Sequence, residues 1–468
     1  MRISNKLSVV ESGATYSTDA TEGGTLRSKI TNDLIEGSKL EPVEGSRAWI
    51  VVLGSFCLHF VILGNLYASG LFVPEYEEKF NLTRAKASLI IQLQAGMKFT
   101  MGFIAGKITD RYGINAVLPL GIVVYISGLI LASYAKTFNQ LILTHGVMVG
   151  VSSGLLYWGC ISIVSMWFKK RRGFAAGLAA FGSGIGNFSM GIMIQRFIQD
   201  GGYEAALFRG GLISAGILLI AALCLKRRLP LVDYLHPCSD QDVLSDRNFR
   251  LICSATMLFQ VGYQVPFAHL PSYILDLGFD SEYAAIAVSQ IGVGSSCGRV
   301  LLGYISDYVG RLRMFRFVLF ATVVVCAGWY LSETKATITT FAFFFGFTSG
   351  GFIALVFPVL ADYWGGKRLG GIAGYIAVSL VPGSYLGPFF AGYSFDRRGD
   401  YDIAIWMSAA CIFLAACLLL GMHVPSEIVD DDVHQQQEID SQRALGAAVT
   451  GAAVAPIDEN TDNMEEFI

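Results

Sequence analysis

The stretch Gly106-Lys-Ile-Thr-Asp-Arg-Tyr-Gly113 returns as Gly303-Tyr-Ile-Ser-Asp-Tyr-Val-Gly310, 197 residues further along the chain. A second set keeps the same offset: Trp167, Arg171, Gly173, Ala176 and Gly177 return as Trp364, Arg368, Gly370, Ala373 and Gly374. Both repeats flank long apolar runs, which indicates that the repeated unit is a group of membrane helices. The chain is therefore predicted to contain two homologous halves.

The composition points to a membrane protein. Of the 468 residues, 53% are hydrophobic and 15% are charged, whereas a soluble domain carries about 25% charged residues. The net charge of −3 gives no reason to expect a nucleic-acid partner. There is no Gly-x-x-x-x-Gly-Lys-Ser/Thr signature for a nucleotide. Because clustered histidines, cysteines and carboxylates are absent from the apolar runs, we expect neither an enzyme nor a bound cofactor or metal.

Twelve apolar runs are long enough to cross about 30 Å of hydrocarbon as helices. They cover residues 49–73, 85–105, 115–135, 138–166, 173–197, 207–225, 251–275, 283–304, 315–333, 337–361, 369–392 and 402–422. The predicted fold is an all-α bundle of twelve transmembrane helices in two six-helix halves, 49–225 and 251–422. A polar tail (1–48), an inter-half loop (226–250) and an acidic tail (423–468) complete the chain. The acidic tail holds eleven Asp or Glu, which predicts disorder.

Lysine and arginine counts in the loops predict the orientation. If both termini are cytoplasmic, the five inner loops carry fifteen of these residues and the outer loops carry six. Both termini and the inter-half loop are therefore expected in the cytoplasm. The plasma membrane is the expected location, with a vacuolar or other internal membrane as the alternative.

The repeated Gly-x-x-x-Asp-x-x-Gly loop resembles the signature of the major facilitator superfamily. Three further stretches resemble the monocarboxylate porter family: Trp167 to Gly182, Glu44-Gly45 before Trp49, and Gly387 to Gly392 followed by Asp396 and Gly399-Asp-Tyr401. The tails and loops are more similar to those of fungal members than of animal members. The resemblance implies transport by alternating access, with helices 1, 4, 7 and 10 lining the cavity. Whether an accessory subunit is needed stays open.

The chain also departs from the best-known animal members of that family. Arg299 occupies the position of their helix-8 arginine, but Ser295 stands where they have an aspartate and Leu71 where they have a lysine. Two parts of their proton-and-carboxylate apparatus are therefore missing. Facilitated diffusion or exchange stays open beside proton coupling.

Two cations, Lys98 and Arg299, lie within predicted helices that contain no buried acid. A cation at this depth is costly unless water or an anion accompanies it, which favours a carboxylate-bearing substrate. For Arg299 the alternative is snorkelling to the helix end, and for Lys98 it is bonding to backbone carbonyls. The predicted substrate-binding residues are Arg299, Lys98, Tyr67, Asn65, Gln94, Gln260, Tyr263 and Gln264. For the polar residues among them, bonding between helices is the alternative.

His59, His145 and His269 are the predicted proton-coupling residues, because acids are absent from the core; packing is the alternative role for each. The signature loops and the basic loops predict a gate that breaks and re-forms. Its predicted residues are Gly106, Asp110, Arg111, Gly113, Gly303, Asp307, Gly310, Arg311, Lys169, Arg171 and Arg368.

The leading hypothesis is a secondary active or facilitative transporter of small, monocarboxylate-like organic anions. It would act in the lipid bilayer, with protons as a potential coupling ion. The alternatives are a carrier of larger organic solutes, such as vitamins or secondary metabolites, and a non-transporting sensor on the same fold.

Overall fold

The computed structural model describes residues 43–229, 239–366 and 368–423. These residues form helices joined by short connections, and no strand occurs among them. Most of the predicted polar tail and acidic tail, and part of the inter-half loop, lie outside the described residues.

The first half contains helices α1 to α6. They are α1 (Ser46–Phe80), α2 (Arg84–Tyr112), α3 (Ile114–Ser133), α4 (Phe138–Trp167) and the helical stretch Arg172–Cys224. That stretch is broken at Gly201 and Gly202, whose φ values are −166° and +72°. Because the left-handed region favours glycine, Gly202 allows the chain to reverse there. We therefore number its two parts α5 (172–200) and α6 (203–224).

The second half repeats this arrangement. Its helices are α7 (Arg247–Asp276), α8 (Ser281–Val309), α9 (Arg311–Leu331), α10 (Lys335–Trp364), α11 (Leu369–Arg398) and α12 (Asp402–Leu420). A short helix, Ser239–Ser245, precedes α7.

The described helices account for all twelve predicted spans. Nine helical stretches in the described residues are long and apolar enough to cross a membrane. Division of one stretch into α5 and α6, together with the 29-residue helices α2 and α8, brings the number to twelve. Several helices are longer than their apolar runs. For example, α1 continues to Phe80 through Glu75, Glu77 and Glu78, because backbone hydrogen bonding does not require apolar side chains beyond the membrane.

Glycines allow the two halves to approach closely along two seams. On α5, a Cβ at Gly177 would overlap the carbonyl oxygen of Arg299 on α8. Between α2 and α11, a Cβ at Gly106 would overlap the carbonyl oxygen of Gly370. Small residues commonly serve this purpose in membrane bundles, where close packing drives helix association. The α5–α8 and α2–α11 seams flank the space between the halves.

Candidate functional site

A central cavity of about 350 Å³ lies between the two halves. Side chains from α1, α2 and α4 line it on one side, and side chains from α7, α8, α10 and α11 line it on the other. Its walls are mainly apolar and include nine aromatic residues: Tyr67, Phe99, Tyr157, Trp158, Phe259, Tyr263, Phe267, Phe352 and Phe357. The four helices that the family resemblance implied, α1, α4, α7 and α10, are all among the lining elements.

Arg299 contributes a buried guanidinium to this cavity. Its side chain is 3% exposed. Nη1 donates to the carbonyl oxygen of Ala180 at 2.8 Å and to the Ser183 hydroxyl, both on α5. Nε has no hydrogen-bond partner among the residues that the structure describes. The guanidinium therefore crosses to α5 in the interior of the bundle, and the snorkelling alternative does not describe its position.

Lys98 is the second cation in the cavity wall and is 5% exposed. Its Nζ lies 4.6 Å from the ring centre of Phe99 and 5.0 Å from that of Tyr157. Within the described residues, neither Lys98 nor Arg299 forms an ion pair with a carboxylate. The aromatic faces offset only part of the cost of burying an ammonium group, so the cavity keeps an excess of positive charge.

Four other predicted substrate-binding residues, Tyr67, Gln260, Tyr263 and Gln264, also line the cavity. Gln260 has a structural bond as well, because its Nε2 donates to the Ser384 hydroxyl on α11 at 3.0 Å. Gln92, which was not predicted, lies in the wall on α2.

Asn65 and Gln94 do not line the central cavity, contrary to their predicted place at the substrate site. Asn65 Nδ2 donates to the Tyr125 hydroxyl and to the Ser214 hydroxyl, both at 3.1 Å, and so ties α1 to α3 and α6. Gln94 lies about 40° further around α2 than Lys98, given 3.6 residues per turn, and is 1% exposed. Both face a separate void of about 10 Å³ beside His145, which is too small for an organic substrate.

None of the three predicted proton-coupling histidines lines the central cavity. His59 bonds through Nδ1 to the Ser55 carbonyl oxygen at 2.8 Å, and His145 bonds to the Tyr76 hydroxyl at 2.7 Å. His269 bonds to the Pro388 carbonyl oxygen at 3.1 Å. Each histidine thus has a local bonding role, although His59 also packs edge-on against Tyr157 in the cavity wall.

The two signature loops lie at one end of the bundle, which we call the gate face. Asp110, at the end of α2, is fully buried. Its carboxylate accepts from Arg227 Nη1 at 2.8 Å and from the backbone N–H of Gly371 at 2.7 Å. Gly371 belongs to the first turn of α11. A carboxylate of the first half therefore caps a helix of the second half, where the helix dipole favours negative charge.

Asp307, at the end of α8, makes the corresponding contacts in the opposite direction. It accepts from the backbone N–H groups of Gly173 and Phe174, both at 2.9 Å, at the start of α5. It also accepts from Arg311 Nε at 3.0 Å. Asp362 then joins the halves a third time, because it accepts from Arg172 and from Arg311 at 2.7 Å each. These bonds join the two halves at the gate face.

The other predicted gating residues have varied places. Arg311 donates to the Lys169 carbonyl oxygen at 2.6 Å, while the side chains of Lys169, Arg171 and Arg368 are exposed. Arg111 is exposed, and its guanidinium carbon lies over the Tyr112 ring at 5.3 Å from the ring centre. The glycines serve the backbone: Gly113 and Gly310 have φ values of +81° and +102°, and Gly106 and Gly303 lie where Gly370 and Gly173 approach.

Sequence reasoning missed three charged residues of this network as gate components: Arg172, Arg227 and Asp362. Asp362 was outside the predicted tenth span, 337–361, by one residue. Arg172 and Arg227 were counted as loop cations only. The available signal was the placement of Arg172 directly before Gly173 in the second repeat, but its partner comes from the other half and could not be read from local sequence.

Comparisons with known proteins agree on one family. The family model for the Major Facilitator Superfamily matches residues 55–340. MFS-type transporter 1 of Ophiocordyceps sp. (strain BCC 1869) is 28% identical over 81% of this chain and 87% of that protein. The Fujikurins efflux protein of Gibberella fujikuroi is 31% identical over 67% of this chain and 69% of that protein. Monocarboxylate transporter 13 of Rattus norvegicus is 27% identical over 82% of this chain and 91% of that protein. The solved structure of the transporter FucP in the outward conformation has a TM-score of 0.67 at 16% identity, covering 80% of this chain and 99% of that one.

Proposed function

The chain belongs to the Major Facilitator Superfamily and is a multi-pass membrane transporter similar to fungal members and to monocarboxylate transporters, and we propose that its substrate is an organic anion with a sizeable apolar body. The observation that carries this proposal is the pair of buried cations, Lys98 and Arg299, in an aromatic cavity without a described carboxylate partner. An anionic substrate would supply the missing charge, and its apolar body would contact the rings.

The volume of the cavity favours a substrate larger than lactate. A cavity of about 350 Å³ lies in the range that holds drug-sized ligands. Gln264 and Tyr263 provide polar contacts among apolar walls. An amphipathic carboxylate, such as a secondary metabolite, would use both kinds of surface, and one relative of this chain is named for the efflux of fujikurins.

A small monocarboxylate is the second candidate substrate. Arg299 occupies the position of the arginine in the monocarboxylate porter family, and Monocarboxylate transporter 13 is a relative over most of the chain. Against this candidate stand Ser295 and Leu71 at the positions of that family's aspartate and lysine. Among the residues that line the cavity there is no acid that could carry a coupling proton beside the substrate.

The proposed mechanism is alternating access. In the state described here the gate face is closed by Asp110, Asp307 and Asp362, each bonded to the other half. Opening the gate face would break these bonds while the opposite ends of the halves approach each other. We place the gate face in the cytoplasm, because the loops there hold the excess of lysine and arginine, and we place the protein in the plasma membrane.

Transport by the purified protein in proteoliposomes tests the proposal. A panel of carboxylates of increasing apolar size, from lactate to polycyclic aromatic acids, would be compared with neutral amide analogues, with and without a proton gradient. We expect preference for the larger anions. Arg299→Gln and Lys98→Gln should each lower kcat/KM at least about tenfold, because a hydrogen bond to a charged group contributes about 1.5–3 kcal/mol.

Lys335→Gln is the matched control, because Lys335 is an exposed cation at the face opposite the gate. It should leave transport unchanged. Equal transport of the acids and their neutral amides, or activity indifferent to both buried cations, would contradict the proposal. Preference for lactate would support the second candidate.

A further inference from the structure

A second cavity, of about 830 Å³, lies at the gate face between α5 and α8. Its floor contains Asp307, Arg311 and Asp362 of the network described above. Its rim consists of Lys169, Lys170 and Arg171 from the first half and Tyr304 and Tyr308 from the second half. The proposed transport mechanism involves the charged residues of the floor, but it assigns no role to the side chains of the rim.

The charge of this cavity favours an anion. Its lining contains four cations, Lys169, Lys170, Arg171 and Arg311, against the two carboxylates Asp307 and Asp362. Both carboxylates already accept hydrogen bonds from arginines. The side chains of Lys170 and Arg171 are exposed, so their charges are presented to whatever occupies the rim.

The position of the tyrosines links the cavity to the membrane surface. Val293, Cys297 and Leu301 are exposed along one side of α8, as expected for a lipid-facing stripe. Tyr304 and Tyr308 continue this stripe at helical spacing and are 46% and 74% exposed. Their hydroxyls are bonded to each other at 3.1 Å. Tyrosine is enriched where hydrocarbon meets the headgroup layer, so the cavity opens at headgroup level.

We propose that this cavity binds the phosphate-bearing headgroup of an anionic phospholipid from the leaflet at the gate face. The phosphate lies between the Lys170 and Arg171 side chains and the two tyrosine hydroxyls, and the acyl chains follow the apolar stripe of α8. Charge-assisted bonds to phosphate are strong, and basic pockets between helices on the cytoplasmic side suit such lipids. Because the rim belongs to both halves, the bound headgroup bridges them and stabilises the closed gate.

Binding of short-chain lipids to the purified full-length protein in neutral detergent tests this inference. The probes are dioctanoyl phosphatidylinositol 4-phosphate and dioctanoyl phosphatidylcholine, with Kd measured by thermophoresis. We expect the anionic lipid to bind at least about tenfold more tightly than phosphatidylcholine. Lys170→Ala/Arg171→Ala should weaken its Kd by at least about tenfold, because two charge-assisted contacts are lost.

The matched control is Arg397→Ala/Arg398→Ala. These are two exposed arginines at the opposite face, and Arg397 stacks on Tyr393 at 4.6 Å. This variant should bind as tightly as the wild type. Tyr304→Phe/Tyr308→Phe, which keeps the rings and removes the hydroxyls, should weaken binding several-fold and serves if the alanine variant does not fold.

Three results would overturn the inference. The first is equal binding of the two lipids, or binding unchanged in both rim variants. The second is equally tight binding of soluble inositol 1,4-bisphosphate, which would assign the cavity to a soluble phosphate. The third is binding of a synthetic peptide of residues 424–468 in place of lipid, which would assign the cavity to the acidic tail.

Discussion

At the scale of single residues, Glu44 shows how one side chain fixes the entry to the bundle. Its Oε1 accepts from three consecutive backbone N–H groups, those of Lys169, Lys170 and Arg171, at 3.0, 2.6 and 2.8 Å. Its own backbone is in the left-handed region, with φ of 58°, which costs a non-glycine residue about 1–2 kcal/mol. The three bonds offset that strain and hold the α4–α5 loop in position.

Glu44→Ala is therefore expected to lower the free energy of unfolding by about 1.5–3 kcal/mol, the contribution of hydrogen bonds to a charged group. The effect should appear as a lower Tm of the detergent-solubilised protein. Glu78→Ala, at an exposed glutamate of α1, is the control and should stay within about 0.5 kcal/mol of wild type. Equal Tm values for the two variants would mean that the Glu44 carboxylate does not stabilise the α4–α5 loop.

A charged residue inside a predicted membrane helix was the feature of single residues from which the sequence could predict the site. Lys98 and Arg299 stand out because a buried cation needs an explanation, and both line the cavity. Asn65 on α1 and Gln94 on α2 are polar residues of helices that line the cavity, but a polar residue in a membrane helix can bond to a neighbouring helix or face a substrate. Which of these two roles a polar residue has depends on the residues that lie next to it in the fold. For Asn65 these are Tyr125 and Ser214, which are 60 and 149 positions away along the chain.

At the scale of helices, the α5–α8 seam depends on glycines that let backbone meet backbone. A Cβ at Gly177 would overlap the Arg299 carbonyl oxygen and lie 2.9 Å from the carbonyl carbon. Backbone atoms cannot rotate away as the end of a side chain can. The seam also carries Arg299 and Asp307, so its spacing determines where both of these residues lie.

Gly177→Ala should separate α5 from α8 and lower the free energy of unfolding by about 1–3 kcal/mol, as overpacked interiors do. Gly191→Ala, on the same helix, is the matched control, because a Cβ there meets nothing within 4 Å. It should raise stability by about 0.5–1 kcal/mol, since alanine favours the helix. The two Tm shifts are thus expected to have opposite signs. A rise in Tm for both variants would show that helix propensity outweighs contact at the seam, and an equal fall for both would show that the loss is not specific to the seam.

The helices themselves were largely predictable, and their connections across the bundle were not. The 197-residue repeat predicted two halves, and apolar run length predicted twelve spans, and both predictions are confirmed. The break at Gly201–Gly202 fell between two predicted runs, 173–197 and 207–225. The contact of Asp110 with Gly371 could not be predicted in this way, because it joins positions 261 residues apart. Their pairing depends on how the two halves face each other.

At the scale of the whole molecule, the repeated aspartates form reciprocal bonds between the two halves, and we call this set of bonds the lock. Asp110 of the first half caps α11 of the second half, and Asp307 of the second half caps α5 of the first. Each aspartate also pairs with an arginine, Arg227 or Arg311. In the alternating-access mechanism proposed above, these bonds exist only while the gate face is closed. We therefore expect their loss to change the balance between the two states as well as the stability of the fold.

Asp110→Asn and Asp307→Asn should each shift the transporter towards the state with an open gate face. Removing one partner of a buried ion pair costs about 3–5 kcal/mol. If the closed state bears that cost, the equilibrium between the two states moves by roughly 150-fold to 5,000-fold. Spin labels at positions 170 and 313, which are exposed on opposite halves, would report a longer distance. Asp280→Asn is the control, because Asp280 caps α8 through the Tyr283 N–H within one half. Since its cap does not join the halves, it should leave the distance distribution unchanged. A shift as large in this control would mean that general loosening, and not the lock, opens the gate.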